Sequence, residues 1–106
     1  MYNKDYEFEI GKSITLKEGK DITIFCAGAM VKQCLEAAKI LDQKQIYAKV
    51  VNMHTIKPID KKAVEESCNS KLIISVEEHN IIGGLGSAIA EYKAKLSKSP
   101  KQLFLG

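Results

Sequence analysis

The strongest constraint on the fold is a series of short apolar segments that alternate with helical patterns. Residues 22–27 (ITIFCA) and 72–76 (LIISV) are nearly continuous runs of strand-forming residues. Such runs are typical of strands that are covered on both faces. Residues 47–53 and 103–105 indicate two further strands. Strands that alternate with helices predict a three-layer α/β/α sandwich around a mostly parallel sheet.

Helical spacing fills the intervals between these strands. The first helix has apolar residues at spacings of three and four: Met30, Cys34, Ala37, Ala38 and Leu41. Asp60 is well placed as the N-cap of a short helix that ends near Ser67. The pattern predicts a third helix over residues 86–96.

A short strand at residues 14–16 precedes these elements. Only a tight turn joins it to residues 22–27, so no helical crossover fits between them. We therefore expect it either to pair antiparallel with residues 22–27 or to lie at an edge elsewhere in the sheet. Residues 1–106 are expected to form a single domain, with residues 1–11 as a connecting arm.

Charge and cysteine content argue against several classes of function. All sixteen cationic side chains are lysines, and they are scattered, which is typical of a solvated surface rather than a nucleic-acid-binding stripe. No apolar run approaches the roughly 20 residues that span a membrane. Cys26, Cys34 and Cys68 have no metal-ligand spacing with the histidines and are expected to be buried, reduced thiols. We expect a cytoplasmic protein with no nucleic-acid or membrane partner.

The most distinctive polar residues follow the strand at residues 72–76. Two acids, a histidine and a glycine-rich turn lie there, at the expected carboxyl end of the strand: Glu77, Glu78, His79, Gly83, Gly84 and Gly86. Open α/β sheets place ligands or partners at this end. The segment is therefore a candidate site or a candidate interface.

The residues themselves favour a structural role over a chemical one. Ile89 stands where a dinucleotide fingerprint needs its third glycine, so the glycines indicate close approach of a helix to the sheet or to a neighbouring chain. Glu77 and Glu78 point to opposite faces if the strand continues, and one of them is expected to cap the glycine-rich turn or to lie at an interface. No residue obviously orients His79 as a general base.

A second polar loop follows residues 47–53 and contains His54 and Thr55. Its Pro58 and Asp60 indicate a shaped connection rather than a catalytic centre. Both histidine-bearing loops follow parallel strands, so they are expected to share one rim of the sheet. We expect this rim to contact another domain.

Three segments in this order resemble a known family: DITIFCAGAM, VVNMHTIKPID and KLIISVEEHNIIGGLGSAIAE. They are similar to the C-terminal domain of transketolase, above all to the separately encoded half in split bacterial and archaeal transketolases. Related domains occur in deoxyxylulose-phosphate synthase and in the pyruvate dehydrogenase beta subunit. The resemblance covers about residues 7–105.

The resemblance implies a five-stranded sheet whose first strand is antiparallel. It implies that thiamine diphosphate and a divalent metal (Mg or Ca) sit between two other domains of the parent enzyme. It thus implies no catalytic residue, cofactor or metal site in this chain, which is expected to be inactive alone and excised from a longer protein. The implied partners are the pyrimidine-binding domain and a second chain of the dimer. The implied parent reaction moves a two-carbon ketol unit between sugar phosphates.

Other interpretations stay open at this point. The parent enzyme could be a deoxyxylulose-phosphate synthase instead of a transketolase. The chain could also be a small regulatory module that binds an anion at the glycine-opened helix N-terminus. A docking surface for an acyltransferase, as in 2-oxo acid dehydrogenases, is a third alternative.

Overall fold

The structure, a computed structural model, describes residues 13–53, 60–77, 84–96 and 99–105. These residues form β1 (Ile14–Lys17), β2 (Ile22–Cys26), α1 (Val31–Gln43), β3 (Ala48–Asn52), α2 (Lys61–Ser67), β4 (Leu72–Val76), α3 (Leu85–Lys93) and β5 (Lys101–Leu105). A short 3-10 turn, Gly28–Met30, leads into α1. Gly28 has a φ of 62°, which glycine adopts without a Cβ penalty. The strands and helices that the sequence indicates are confirmed, with small differences in their bounds.

The five strands form one sheet in the order β1-β3-β2-β4-β5. β2 to β5 run parallel, whereas β1 pairs antiparallel with β3 at one edge. The sequence left open whether β1 would pair with β2 or lie at an edge elsewhere, and the edge position is the one observed. Pairing with β2 is blocked because β3 and β4 already occupy both of its sides.

The helices cover the sheet unequally. α1 packs over β2 and β3 on one face, here called the α1 face, around a buried cluster that includes Ile24, Cys34, Ala38 and Val50. α2 and α3 pack on the opposite face around Phe25, Val51, Val64, Ile73, Leu85 and Ile89. The predicted three-layer sandwich is therefore confirmed, with one described helix on one face and two on the other.

This imbalance follows from the strand order. The chain moves from β2 to β3 in one direction and from β3 through β4 to β5 in the other. Because crossovers between parallel strands are right-handed, a reversal of direction sends the helices to opposite faces. On the α1 face, β4 and β5 therefore have no helix above them among the described residues.

Two further expectations can be compared with the structure. Cys26, Cys34 and Cys68 are buried and unbridged, as predicted. Of the apolar positions predicted for the first helix, Cys34 and Ala38 are buried, but Ala37 is exposed. Ala37 lies toward the uncovered part of the α1 face, which explains the difference.

None of the helices in the described part of the chain is long and apolar enough to cross a membrane.

Candidate functional site at the carboxyl edge of the sheet

Glu77 is the first residue after β4 and caps helix α3. Its Oε1 accepts a hydrogen bond from the backbone N–H of Leu85 at 3.0 Å, and its Oε2 accepts one from Gly86 at 2.9 Å. These donors belong to the first turn of α3, whose N–H groups have no partner within the helix. A carboxylate at this end also interacts favourably with the helix dipole. The sequence-based suggestion that an acid caps the glycine-rich turn is confirmed for Glu77.

This cap bears on the anion-binding interpretation. A helix N-terminus attracts an external anion through its free N–H groups and its partial positive charge. Here two of those N–H groups already bind the protein's own carboxylate. A phosphate at the same place would have to displace Glu77 or lie beside its negative charge, so the N-terminus of α3 is poorly suited to bind one.

Gly86 lies where α3 packs closely on the sheet. A Cβ at this position would lie 2.5 Å from Cδ2 of Phe104 and 2.9 Å from Oγ of Ser75. Gln102 secures the same contact, because its amide nitrogen donates to the Gly86 carbonyl at 3.1 Å and to Ser75 Oγ at 3.2 Å. The close approach of a helix to the sheet is therefore observed at Gly86. Gly84 precedes α3 with an ordinary φ of −72°.

The other residues proposed for the rim lie outside the described residues. They are His54, Thr55, Glu78, His79 and Gly83. The described strands nevertheless place the starts of their two loops near each other. Cys26 of β2 is level with Asn52 of β3 on one side and with Val76 of β4 on the other. That the two histidine-bearing loops share one rim of the sheet remains a prediction, and the positions of these strand ends support it.

Asp60 anchors the beginning of α2, as the sequence predicted. Its Oδ1 accepts a hydrogen bond from the Ala63 N–H at 3.2 Å. Its Oδ2 accepts two more from Ser13, one from the backbone N–H at 2.7 Å and one from the hydroxyl at 2.9 Å. The hydrogen bonds with Ser13 are a long-range interaction that no local sequence pattern indicates. They hold the start of β1 against α2.

A second surface feature, missed by sequence reasoning, is an apolar groove of about 250 Å³ on the α1 face. Its lining, here called the α1–β5 groove, includes Cys34, Ala37, Leu41, Ile74, Val76 and Leu105. β5 also exposes large apolar side chains, with Leu103 at 45%, Phe104 at 57% and Leu105 at 52% of their surface. Two sequence signals could have pointed to it: the wide apolar face of α1 and the apolar character of β5.

The described residues contain no group of three side chains that could hold a metal ion. The pKa is raised for Tyr92, whose hydroxyl donates a hydrogen bond to Glu65 on the surface. Two thiols also have shifted pKa values: hydrogen bonding between Cys26 and Cys34 raises the pKa of Cys26 and lowers that of Cys34. These thiols lie in the core, below the α1–β5 groove.

Comparison with known proteins gives a consistent family assignment. Residues 11–105 match the family described as transketolase, C-terminal domain. A putative transketolase C-terminal section from Methanocaldococcus jannaschii is 43% identical over 108 residues, which cover 100% of this chain and 34% of the relative. A 1-deoxy-D-xylulose-5-phosphate synthase from Halothermothrix orenii is 45% identical over 84 residues, which cover 78% of this chain and 13% of that enzyme.

The fold is also found among solved structures. A split-gene transketolase, described as an inactive beta4 tetramer, superposes with a TM-score of 0.88 and 41% sequence identity. The match covers 97% of this chain and 34% of the other. The chain therefore spans about a third of the length of the first of these relatives and of this structure.

Proposed function

Because the chain belongs to the transketolase C-terminal domain family, we propose that it is a non-catalytic assembly domain of a thiamine-diphosphate-dependent transketolase. The parent enzyme would transfer a two-carbon ketol unit between sugar phosphates. This chain would supply contact surfaces to the pyrimidine-binding domain and to a second chain of a dimer. We place the enzyme in the cytoplasm, in keeping with three unbridged cysteines.

The uncovered α1–β5 groove is the observation that carries this proposal. Its lining is apolar, and on the same face of the sheet the neighbouring strand β5 exposes Leu103 and Leu105, whereas Phe104 points to the opposite face, toward Gly86 of α3. Contiguous apolar surface of this kind marks an interaction site in a folded protein. β5 also lies at the edge of the sheet, and exposed apolar edge strands are normally covered or charged. A domain that works through contacts needs such a surface.

The rim at the carboxyl edge of the sheet is proposed as a second contact region. It would consist of His54, Thr55, Glu78, His79 and Gly83, next to the Glu77 cap of α3. These residues follow strands whose carboxyl ends adjoin in the sheet. Their proposed role is to meet a neighbouring domain, and no step of a reaction is assigned to them.

Thiamine diphosphate does not fit the donor groups of the described residues. A diphosphate needs several cationic or N–H donors, but the α3 N-terminus is occupied by Glu77 and the chain contains no arginine. A divalent metal needs clustered oxygen ligands, and the described residues contain no cluster of three. We therefore propose that the cofactor and its metal are held elsewhere in the parent enzyme, and we assign no chemical step to this chain.

The alternative parent enzyme is 1-deoxy-D-xylulose-5-phosphate synthase. The observation that favours it is the 45% identity to a protein of that name, although the match covers only 78% of this chain. The assembly role would be the same for either parent. The regulatory-module alternative is weaker because Glu77 occupies the proposed anion site. Calorimetry with millimolar sugar phosphate should therefore show no binding heat.

The proposal is tested by placing charge in the groove region. Leu103→Asp combined with Leu105→Asp should weaken the complex between this chain and the separately produced cofactor-binding domains of the same enzyme. Full burial of one leucine side chain contributes about 1.5–3 kcal/mol. Covering Leu103 and Leu105, which are each about half exposed, should therefore contribute roughly that amount in total. Binding measured by sedimentation velocity should fall on the order of tenfold to a hundredfold.

Lys101→Ser is the matched control, because Lys101 is an exposed polar residue on the same strand. It should leave the affinity nearly unchanged. Circular dichroism would verify that the charged variant keeps its fold. Equal affinity of the charged variant and the control would contradict an assembly role for this surface.

A further inference from the structure

β5 (Lys101–Leu105) is an edge strand of the sheet, so one side of its backbone has no neighbouring strand among the described residues. Its pairing with β4 is uninterrupted over the whole strand. Three of its side chains, Leu103, Phe104 and Leu105, are large, apolar and about half exposed. A regular, apolar edge strand is a template for pairing with another strand.

The opposite edge strand, β1, is less suited to such pairing. Its register with β3 shifts between Thr15 and Lys17, and Lys17 forms an ion pair with Asp42 at 3.0 Å. Irregular pairing and lysine side chains are two features by which proteins protect sheet edges. β5 has one charged residue, Lys101, which stands at the start of the strand. β5 is therefore the edge that is better prepared to pair.

The backbone groups of β5 alternate between β4 and the open edge. The Leu105 carbonyl accepts a hydrogen bond from the Glu77 N–H at 3.1 Å, so the backbone groups of Leu105 face β4. Alternation along the strand then turns the N–H and C=O groups of Gln102 and Phe104 toward the open edge. These outward groups are available to a further strand.

We propose that the open edge of β5 pairs antiparallel with β5 of a second copy of this chain, about a two-fold axis at Leu103. Gln102 of each copy then exchanges two hydrogen bonds with Phe104 of the other copy. Leu103 faces Leu103 of the other copy as a close pair without hydrogen bonds. This symmetric register pairs every residue of both strands, and the inference rests on the proposed assembly role, whose second chain it places at β5.

Charge favours this partner in this direction. Antiparallel pairing places Lys101 opposite Leu105 of the other copy. The two lysines then lie four residues apart along the pair, about 14 Å, which exceeds the screening length of about 8 Å at physiological ionic strength. A parallel pair in register would place the same two lysines about 5 Å apart.

The size of the contact predicts a weak dimer. Each copy would contribute one short strand edge and three half-exposed side chains, which is less than the roughly 800 Å² per partner of a standard interface. We therefore expect a dissociation constant on the order of 100 μM. The α1–β5 groove lies on the face of the sheet rather than along its edge, so pairing at β5 leaves the groove open to another domain.

Disulfide trapping in the 106-residue chain tests the register. In Leu103→Cys the two introduced thiols would lie on Cα atoms about 4.5 Å apart, which a disulfide can bridge. In the matched control Leu105→Cys the Cα atoms would be about 14 Å apart, which it cannot. Random collision would link both variants equally, because the two positions are 45% and 52% exposed. The native cysteines are buried and do not compete.

Under a glutathione redox buffer, Leu103→Cys should form the linked dimer at least about tenfold faster than Leu105→Cys. Non-reducing electrophoresis and peptide mapping would measure this. Equal rates, or faster linking of Leu105→Cys, would overturn the proposed register.

A second pair of variants tests the backbone contact. Phe104→Pro removes an outward N–H, which an edge strand tolerates on its open side, whereas Phe104→Ala removes the same ring and keeps the N–H. Sedimentation equilibrium should show Phe104→Pro dimerising at least about tenfold more weakly than Phe104→Ala. Equal dimerisation of the two would overturn the strand pairing, and circular dichroism would verify that both variants are folded.

The wild-type chain separates this inference from the proposed function. A chain that stays monomeric up to about 1 mM but binds the separately produced cofactor-binding domains would overturn the β5 dimer and leave the assembly role standing. A chain that dimerises through β5 but does not bind those domains would contradict the assembly role instead.

Discussion

Replacement of Glu77 tests whether this carboxylate has a structural rather than a ligand-binding role. Glu77→Ala removes the acceptor of two N–H groups at the start of α3, at 3.0 and 2.9 Å. Loss of one capping acceptor costs about 0.5–2 kcal/mol, and this side chain serves two donors and also interacts favourably with the helix dipole. Glu77 is only half-buried, so water takes over part of both interactions. We expect the free energy of unfolding to fall by roughly 2–3 kcal/mol.

The assay is urea and thermal unfolding followed by circular dichroism. A change of 1 kcal/mol shifts the melting temperature by about 4–8 °C in a domain of this size, so Glu77→Ala should lower it by roughly 8–24 °C. Glu77→Gln keeps one acceptor oxygen and should give an intermediate loss. Glu91→Ala, at an exposed position on the same helix, should stay within about 0.5 kcal/mol of the wild type. If Glu77→Ala were as mild as Glu91→Ala, the capping argument would be refuted.

Three further predictions concern packing and pH. Gly86→Ala would place a Cβ 2.5 Å from the Phe104 ring, and such overpacking costs about 1–3 kcal/mol. Alanine regains about 1 kcal/mol over glycine inside a helix, so we expect a net loss of roughly 0–2 kcal/mol in urea unfolding, and a stabilised variant would contradict this contact. Ile89→Ala, at 0% exposure, should cost about 2–5 kcal/mol. Ile40→Ala, at 55% exposure, should cost far less, and equal losses would contradict the assigned core. The Tyr92 hydroxyl donates a hydrogen bond to Glu65, which raises the pKa of Tyr92. The contribution of this hydrogen bond to stability is therefore complete below the unfolded pKa of about 10, and it is lost as the pH rises through the pKa of the folded state. Tyr92→Phe should abolish that alkaline loss in pH-dependent melting, and an unchanged alkaline profile would contradict the assignment.

Much of the fold could be predicted because its elements carry local patterns. The apolar run ITIFCA predicts a strand covered on both faces, and β2 lies at the centre of the sheet with a helix layer on each side. Asp60 was predicted as an N-cap, because a short polar side chain directly before a helical pattern can accept a hydrogen bond from the first turn of the helix. In both cases the physical cause lies within a few residues of sequence.

Long-range pairing could not be predicted in the same way. β1 pairs with β3 because both sides of β2 are already occupied, and one of those sides is taken by β4, which comes later in the chain. The hydrogen bonds from Ser13 to Asp60 join residues 47 positions apart, so no periodicity indicates them. The α1–β5 groove likewise follows from the count of helices on each face, which the order of the strands determines.

The candidate site was predicted only in part. A cap from one of Glu77 and Glu78 could be expected, because an acid that follows a strand and precedes a glycine-opened helix is a natural cap, but the sequence did not indicate which of the two it would be. Gly86 could be expected to allow a close approach, but its partners Phe104 and Ser75 depend on the register of β5 with β4.

The central proposal is that this chain acts through contacts with other domains and supplies no catalytic group. The most direct measurement is calorimetric titration of the purified chain, residues 1–106, with thiamine diphosphate and Mg²⁺. We predict no saturable binding heat up to millimolar cofactor, because the α3 N-terminus is capped by Glu77 and the described residues offer no metal cluster. A one-to-one titration with a dissociation constant on the order of micromolar would contradict the account.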